Sequence, residues 1–138
     1  MNATKTGLLG EYIAAAAVID MGWSVSLAQQ DGCDLVAWDD EQNYIRIQAK
    51  TANLSVSKDG RPQVHHFNCA KGSKSKYLPT IKDFDCLALV SPIRRLVLWM
   101  PIQSVSFKSR RVSPDRFTKD AEQNSWDKAV AVILEARE

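Results

Sequence analysis

Apolar and polar positions along this chain change period several times, and each change marks an element. Between Lys5 and Asp20 lies TGLLGEYIAAAAVI, rich in helix formers and apolar nearly all the way round, with Glu11 its one charge. That predicts a buried helix over residues 6–20, stopped at Gly22. A short strand at 23–27 and a turn at 29–32 follow, then the mostly apolar strand Cys33–Trp38. Residues 39–43 form a polar connection into 44–50, where the alternation is regular. There Ile45, Ile47 and Ala49 share one face, and Tyr44, Arg46, Gln48 and Lys50 share the other.

Further on, 55–62 reads as a loop and 63–69 as another strand, while 70–77 has no period and is expected to be mobile without a ligand. Strands at 84–90 and 96–100 flank a connection through Arg94 and Arg95, and 125–136 reads as a closing amphipathic helix. Residues 103–119, rich in Ser, Lys and Arg, give no readable pattern. There is no repeat or linker, so residues 1–138 are expected to form one α/β domain.

Composition narrows the class. With 45% hydrophobic and 25% charged residues, no window is long and apolar enough to span a bilayer, and no membrane partner is expected. The N-terminus lacks the pattern of a secretory signal, and Cys33, Cys69 and Cys86 are odd in number and widely spaced, which predicts reduced, buried thiols in a cytoplasm. The net charge of +2 hides an asymmetry. Residues 1–60 carry four Lys/Arg against eight Asp/Glu, residues 61–116 eleven against three, and residues 117–138 three against five. A basic middle beside acidic flanks suits a polyanion held through its phosphates.

The candidate chemistry lies where Asp34 opens one strand and Gln48-Ala49-Lys50 closes the next. A hard cation such as Mg²⁺ or Mn²⁺ takes oxygen ligands, which Asp34, the Gln48 amide, the Ala49 carbonyl and Glu11 can offer. Lys50, on the face of Gln48, would orient the attacking water or offset charge developing on phosphate oxygens. The expected catalytic set is therefore Glu11, Asp34, Gln48 and Lys50.

These residues resemble the PD-(D/E)XK nuclease superfamily, with Asp34 as its first acid and Gln48-Ala49-Lys50 as its (D/E)-X-K element. Cys33 stands at the proline position of the motif. The segments Gly7-Leu-Leu-Gly10-Glu11, Gly22-Trp23, Gly32-Cys-Asp34-Leu-Val and Ile47-Gln-Ala-Lys-Thr51 are most similar to the intron-associated homing endonucleases, a branch in which Gln commonly replaces the second acid. Asp83-Phe84-Asp85-Cys-Leu-Ala and Trp99-Met-Pro101-Ile extend the likeness over roughly residues 6–102. The resemblance implies a mixed central sheet flanked by helices and a metal-dependent endonuclease that cuts double-stranded DNA at a specific site, as in homing. So small a chain would act as a homodimer or homotetramer.

Phosphate contacts are expected from Lys71, Ser73, Lys74 and Lys76, from Arg94 and Arg95, and from Lys108, with Arg110 and Arg111 as base readers. His65-His66 lacks a second ligand cluster and reads as ordinary polar or phosphate-contacting histidines, and the four tryptophans as core or interface. The alternatives are a junction-resolving nuclease, a DNA-binding module on a decayed nuclease fold, or an RNA-processing subunit.

Overall fold

The computed structural model describes the whole chain except residues 31, 32, 57, 58 and 73 and the side chains of 29 and 30. Helix α1 (Ala3–Asp20) is followed by strands β1 (Ser24–Gln30), β2 (Cys33–Trp38), β3 (Tyr44–Thr51) and β4 (His65–Asn68). Strands β5 (Cys86–Ser91), β6 (Leu96–Pro101) and β7 (Ser109–Val112) precede helix α2 (Lys119–Glu135). The stretch without a readable period holds β7 between two short 3₁₀ turns, Ile102–Ser104 and Pro114–Arg116. Among the described residues, no helix is long and apolar enough to cross a membrane.

Five strands form the main sheet in the order β1-β2-β3-β5-β6, antiparallel except for the parallel pair β3–β5. Alternation gives it two apolar faces. Leu35, Ala37, Ile45, Ile47, Cys86, Ala88, Val90, Val97 and Trp99 pack against Ala14, Ala17 and Val18 of α1 and Trp126, Ala129 and Ile133 of α2. Both helices thus cover the same face. Leu87 and Leu89, on the other face, pack with Phe67, Cys69, Val112 and Phe117 beneath the antiparallel two-stranded sheet β4–β7. That second sheet covers the β5–β6 half, and Asp34, Gln48 and Lys50 lie only half-buried beside it.

The edge of β6 is closed by α2. The Val97 N–H donates to buried Glu122 at 2.9 Å, and the Trp99 N–H donates to the Ser125 hydroxyl at 3.0 Å. These bonds give partners to donors that an open edge would leave unpaired. At the start of β3, buried Asp85 accepts from the Arg46 backbone at 2.8 Å and from its guanidinium at 3.1 Å, while Arg137 pairs with it at 3.2 Å. The end of the chain is thereby pinned to the sheet.

Sequence periodicity predicts α1 as buried all round, but Leu8, Tyr12 and Ile19 are exposed and Glu11 is half-buried. The helix lies on the outside of its layer, so only one stripe finds a partner within the chain. Within the basic stretch expected to be mobile, Lys71 and Tyr77 exchange backbone bonds of 2.8 and 3.0 Å. Gly72, at a φ of 92°, allows that turn. All three cysteines are free and buried, as expected.

Two contacts fix the far end of β3. A side chain at Gly10 would overlap Thr51, so this glycine lets α1 lie directly against the strand. His65, fully buried at the start of β4, meets the Ala52 carbonyl through Nδ1 at 2.7 Å and Ser91 Oγ through Nε2 at 3.1 Å. A carbonyl only accepts, so Nδ1 carries the proton and Nε2 accepts from the Ser91 hydroxyl. Ser91 Oγ in turn accepts from the Arg94 N–H at 3.2 Å.

Gly10→Ala gains helix propensity of up to about 1 kcal/mol but overpacks against Thr51, which costs about 1–3 kcal/mol. A lower Tm is expected, whereas Gly7→Ala, with no atom near its added methyl, raises it. Thermal melts of the two variants separate the contact from propensity, and equal shifts would remove the packing role of Gly10. The His65 imidazole is held below its usual range by burial; the Ala52 bond opposes this and the Arg94 charge reinforces it. Its stabilising contribution is therefore complete above the unfolded value of about 6.5 and is lost as pH falls below it. Chemical denaturation between pH 8 and 5 should show a steeper acid loss in the wild type than in His65→Gln, and parallel profiles would contradict the neutral His65 bridge.

Candidate active site

Strand geometry brings three of the four expected catalytic side chains together. The β2–β3 ladder runs to the pair Leu35–Ile47, and one further step sets Asp34 opposite Gln48 on the face away from the helices. Asp34 Oδ2 accepts from Gln48 Nε2 at 2.9 Å and from the Ala49 N–H at 3.0 Å. Lys50 follows Gln48 on that face, half-buried, and forms no ion pair among the described residues. Its charge reaches the buried Cys69 thiol, which burial pushes up and Lys50 and then Arg110 draw down.

Glu11 comes to the site from the helix layer. Its carboxyl is pushed above the usual carboxylate range, first by burial, then by the Asp34 charge and by a hydrogen bond with the Asp34 side chain. The neighbouring negative charge disfavours the ionised form of Glu11. The Gly10–Thr51 contact, one residue before Glu11 and one after Lys50, holds the helix and strand parts of the site in register.

The oxygens gathered here are two carboxyl groups and, in reach, the Gln48 amide. In the structure the amide nitrogen faces Asp34, and turning the terminal group over brings the oxygen to that side. In an antiparallel arrangement the N–H and C=O of one residue point toward the same neighbouring strand, so the Ala49 carbonyl also faces β2. No group of three or more His, Cys, Asp or Glu side chains suited to a metal converges among the described residues. A mixed set of carboxylate, amide and backbone oxygens matches a hard cation rather than a thiophilic one.

The expected nucleic-acid contacts divide. Lys71 pairs with Asp83 at 3.8 Å, Arg94 with Asp115 at 3.4 Å, and Lys76 donates to the Gly72 carbonyl at 2.7 Å. Lys74 is exposed, and Ser73 lies outside the described residues. Arg95, at a φ of 55°, lines a groove with Tyr12, Asp20 and Lys119 on the helix side, away from Lys50. Lys108 and Lys76 line another groove with Asn68 and Ser109. Arg110 and Arg111 fall on opposite faces of β7: Arg110 is half-buried over the Phe107 ring at 5.0 Å, and Arg111 is exposed.

Sequence reading gives Gly10 no packing role and takes His65 as a polar or phosphate-contacting residue, yet both fix the end of the strand that carries Lys50. The signal for Gly10 was its place in an otherwise Ala-rich helix, one residue before the only charge. For His65 it was strand alternation with Phe67, which puts the two on one buried face.

The solved structure of a bacterial homing endonuclease, I-Ssp6803I, is similar to this chain with a TM-score of 0.70 at 16% sequence identity, covering 100% of this chain and 99% of that one. At that identity the likeness is one of fold. No curated protein matches significantly. The family model described as PD-(D/E)XK endonuclease matches residues 1–129. With the site built on Asp34, Gln48 and Lys50, this match places the chain in the PD-(D/E)XK endonuclease family.

Proposed function

We propose that the chain hydrolyses phosphodiester bonds of double-stranded DNA with a divalent cation, Mg²⁺ or Mn²⁺, at chosen sequences. The observation that carries this reading is the meeting of Glu11 and Asp34 beside Gln48, Ala49 and Lys50. A Glu11 carboxyl pushed above the usual range by burial and by the neighbouring Asp34 charge fits a site whose crowded negative charge a cation would offset. Asp34 and Glu11 would hold it, with the Gln48 amide oxygen and the Ala49 carbonyl completing the oxygen set. When bound, a divalent cation supplies Lewis acidity to the phosphate and makes water more acidic.

The chain's own residues do the rest. Lys50 places its ammonium where negative charge grows on the phosphate oxygens, in a half-buried setting where such a charge acts more strongly than in water. Asp34 holds β2 to the end of β3 and so fixes the backbone from which Lys50 projects. The exposed α1 stripe of Leu8, Tyr12 and Ile19 supports association of copies, which a chain of this size needs to read a long site.

Lys50→Ala should lower DNA cleavage by at least about 10²-fold while leaving duplex binding in Ca²⁺ nearly intact. Gln48→Glu should keep measurable cleavage, with altered metal preference, whereas Gln48→Ala should lose most of it. Plasmid nicking assays in Mg²⁺ and Mn²⁺ with gel-shift binding in Ca²⁺ read both. Cleavage by Lys50→Ala at the wild-type rate would reject this active site, and wild-type rates in both Gln48 variants would exclude Gln48 from the metal.

A further inference from the structure

The small β4–β7 sheet has an inner and an outer face. His65, Phe67 and Val112 point inward to the core, and Arg110 with them lies over Phe107. His66, Asn68, Ser109 and Arg111 are exposed on the outer face. The register sets His66 opposite Arg111 and Asn68 opposite Ser109. Among the described residues none of these four side chains has a hydrogen-bond or ion-pair partner, and neither strand contains an acid.

Cross-strand neighbours lie about 5 Å apart and alternate residues about 7 Å apart along a strand, so the four form one compact patch of donors and acceptors. A two-stranded ribbon fits the major groove of B-DNA, where Asn pairs with adenine and Arg with guanine through two bonds each. At about 3.4 Å per base pair, the patch spans about three base pairs.

The patch is also in the right place. Beginning where β3 ends, β4 is tied to it by the Leu54–His65 bridge, by a Ser55 N–H to Val64 bond of 2.8 Å and by His65 on Ala52. The ribbon therefore lies beside Lys50 on the same face of the main sheet. At its Asn68–Ser109 end a groove of about 310 Å³ is lined by Lys76 and Lys108, with exposed Lys74 near by in sequence, and these cations suit the phosphates that border a groove.

We propose that the outer face of the β4–β7 ribbon enters the major groove of duplex DNA, and that His66, Asn68, Ser109 and Arg111 read base edges there. The proposal rests on the nuclease reading above and assigns its sequence choice to a surface separate from the cutting site. Of the two arginines expected to read bases, it keeps Arg111. An acidic protein surface would meet the lysines equally well but would not need the Asn68–Ser109 pair. An A-form RNA duplex hides its major-groove edges from side chains.

The test is selection by binding from a randomised duplex DNA library, in Ca²⁺, using the Lys50→Ala chain as parent so that bound DNA is not cut. His66→Ala, Asn68→Ala and Arg111→Ala are added singly, with Lys74→Ala as a phosphate control and thermal melts to show that each folds. Arg111→Lys and Asn68→Asp replace any alanine variant that does not. Asn68 and Arg111 variants should lose roughly 5- to 150-fold discrimination, each at one or two positions of one short block. Lys74→Ala should weaken all sequences alike. A parent that binds no duplex or shows no preference, equal preference for an RNA duplex, or a parental profile in every ribbon variant would each overturn the proposal. Relaxed positions in the variants, with no cleavage of the selected duplex by the wild-type chain in Mg²⁺ or Mn²⁺, would support the ribbon and reject the nuclease, so the two fail separately.

Discussion

Like charges held close need a reason to be close, and in this molecule the Glu11 and Asp34 carboxyl groups are so held. Asp34 is fixed by two donors from β3, the Gln48 amide and the Ala49 N–H, so it has little freedom to swing away. Glu11 is delivered by a helix that packs against Thr51 through Gly10 and cannot retreat without opening that contact. Burial and this repulsion together push the Glu11 carboxyl above the usual carboxylate range. A cation answers it more fully, and leaves Lys50 as the adjacent positive group for a phosphate.

The rest of the fold serves that juxtaposition. Both helices lie on one face of the main sheet, and the second sheet covers only part of the other, so Asp34, Gln48 and Lys50 face a surface open on one side and walled by the ribbon on the other. Neutral His65 joins the end of β3 to the Ser91–Arg94 turn, binding the ribbon to the catalytic strand. Buried Asp85 fixes the opposite end of β3 between Arg46 and Arg137.

Much of this is legible along the chain, because β2 and β3 are long enough to show alternation and their faces follow from it. That is how Asp34, Gln48 and Lys50 could be placed together, and Glu11 added from its isolation in an apolar helix. Other parts depend on contacts that no local period records. An apolar helix cannot declare which stripe stays outside, hence the misread burial of α1. With only four residues, Ser-Arg-Arg-Val, β7 carries no visible alternation, so Arg110 and Arg111 read as equivalent until pairing with β4 separates them. The Asp85 pairs join residues far apart in sequence, and the Lys71–Tyr77 backbone pair is one that composition does not encode.

On this reading Glu11, Asp34 and the Ala49 backbone enclose a divalent-cation site. Paramagnetic Mn²⁺ added in small amounts to the isotopically labelled chain tests it most directly, since line broadening of each backbone amide reports distance from the ion without any need for activity. The Asp34, Ala49 and Lys50 amides should broaden first in the wild type, Mg²⁺ in excess should restore them, and Asp34→Asn should abolish the pattern while the chain stays folded. Broadening centred elsewhere, or an Asp34→Asn pattern matching the wild type, would contradict it.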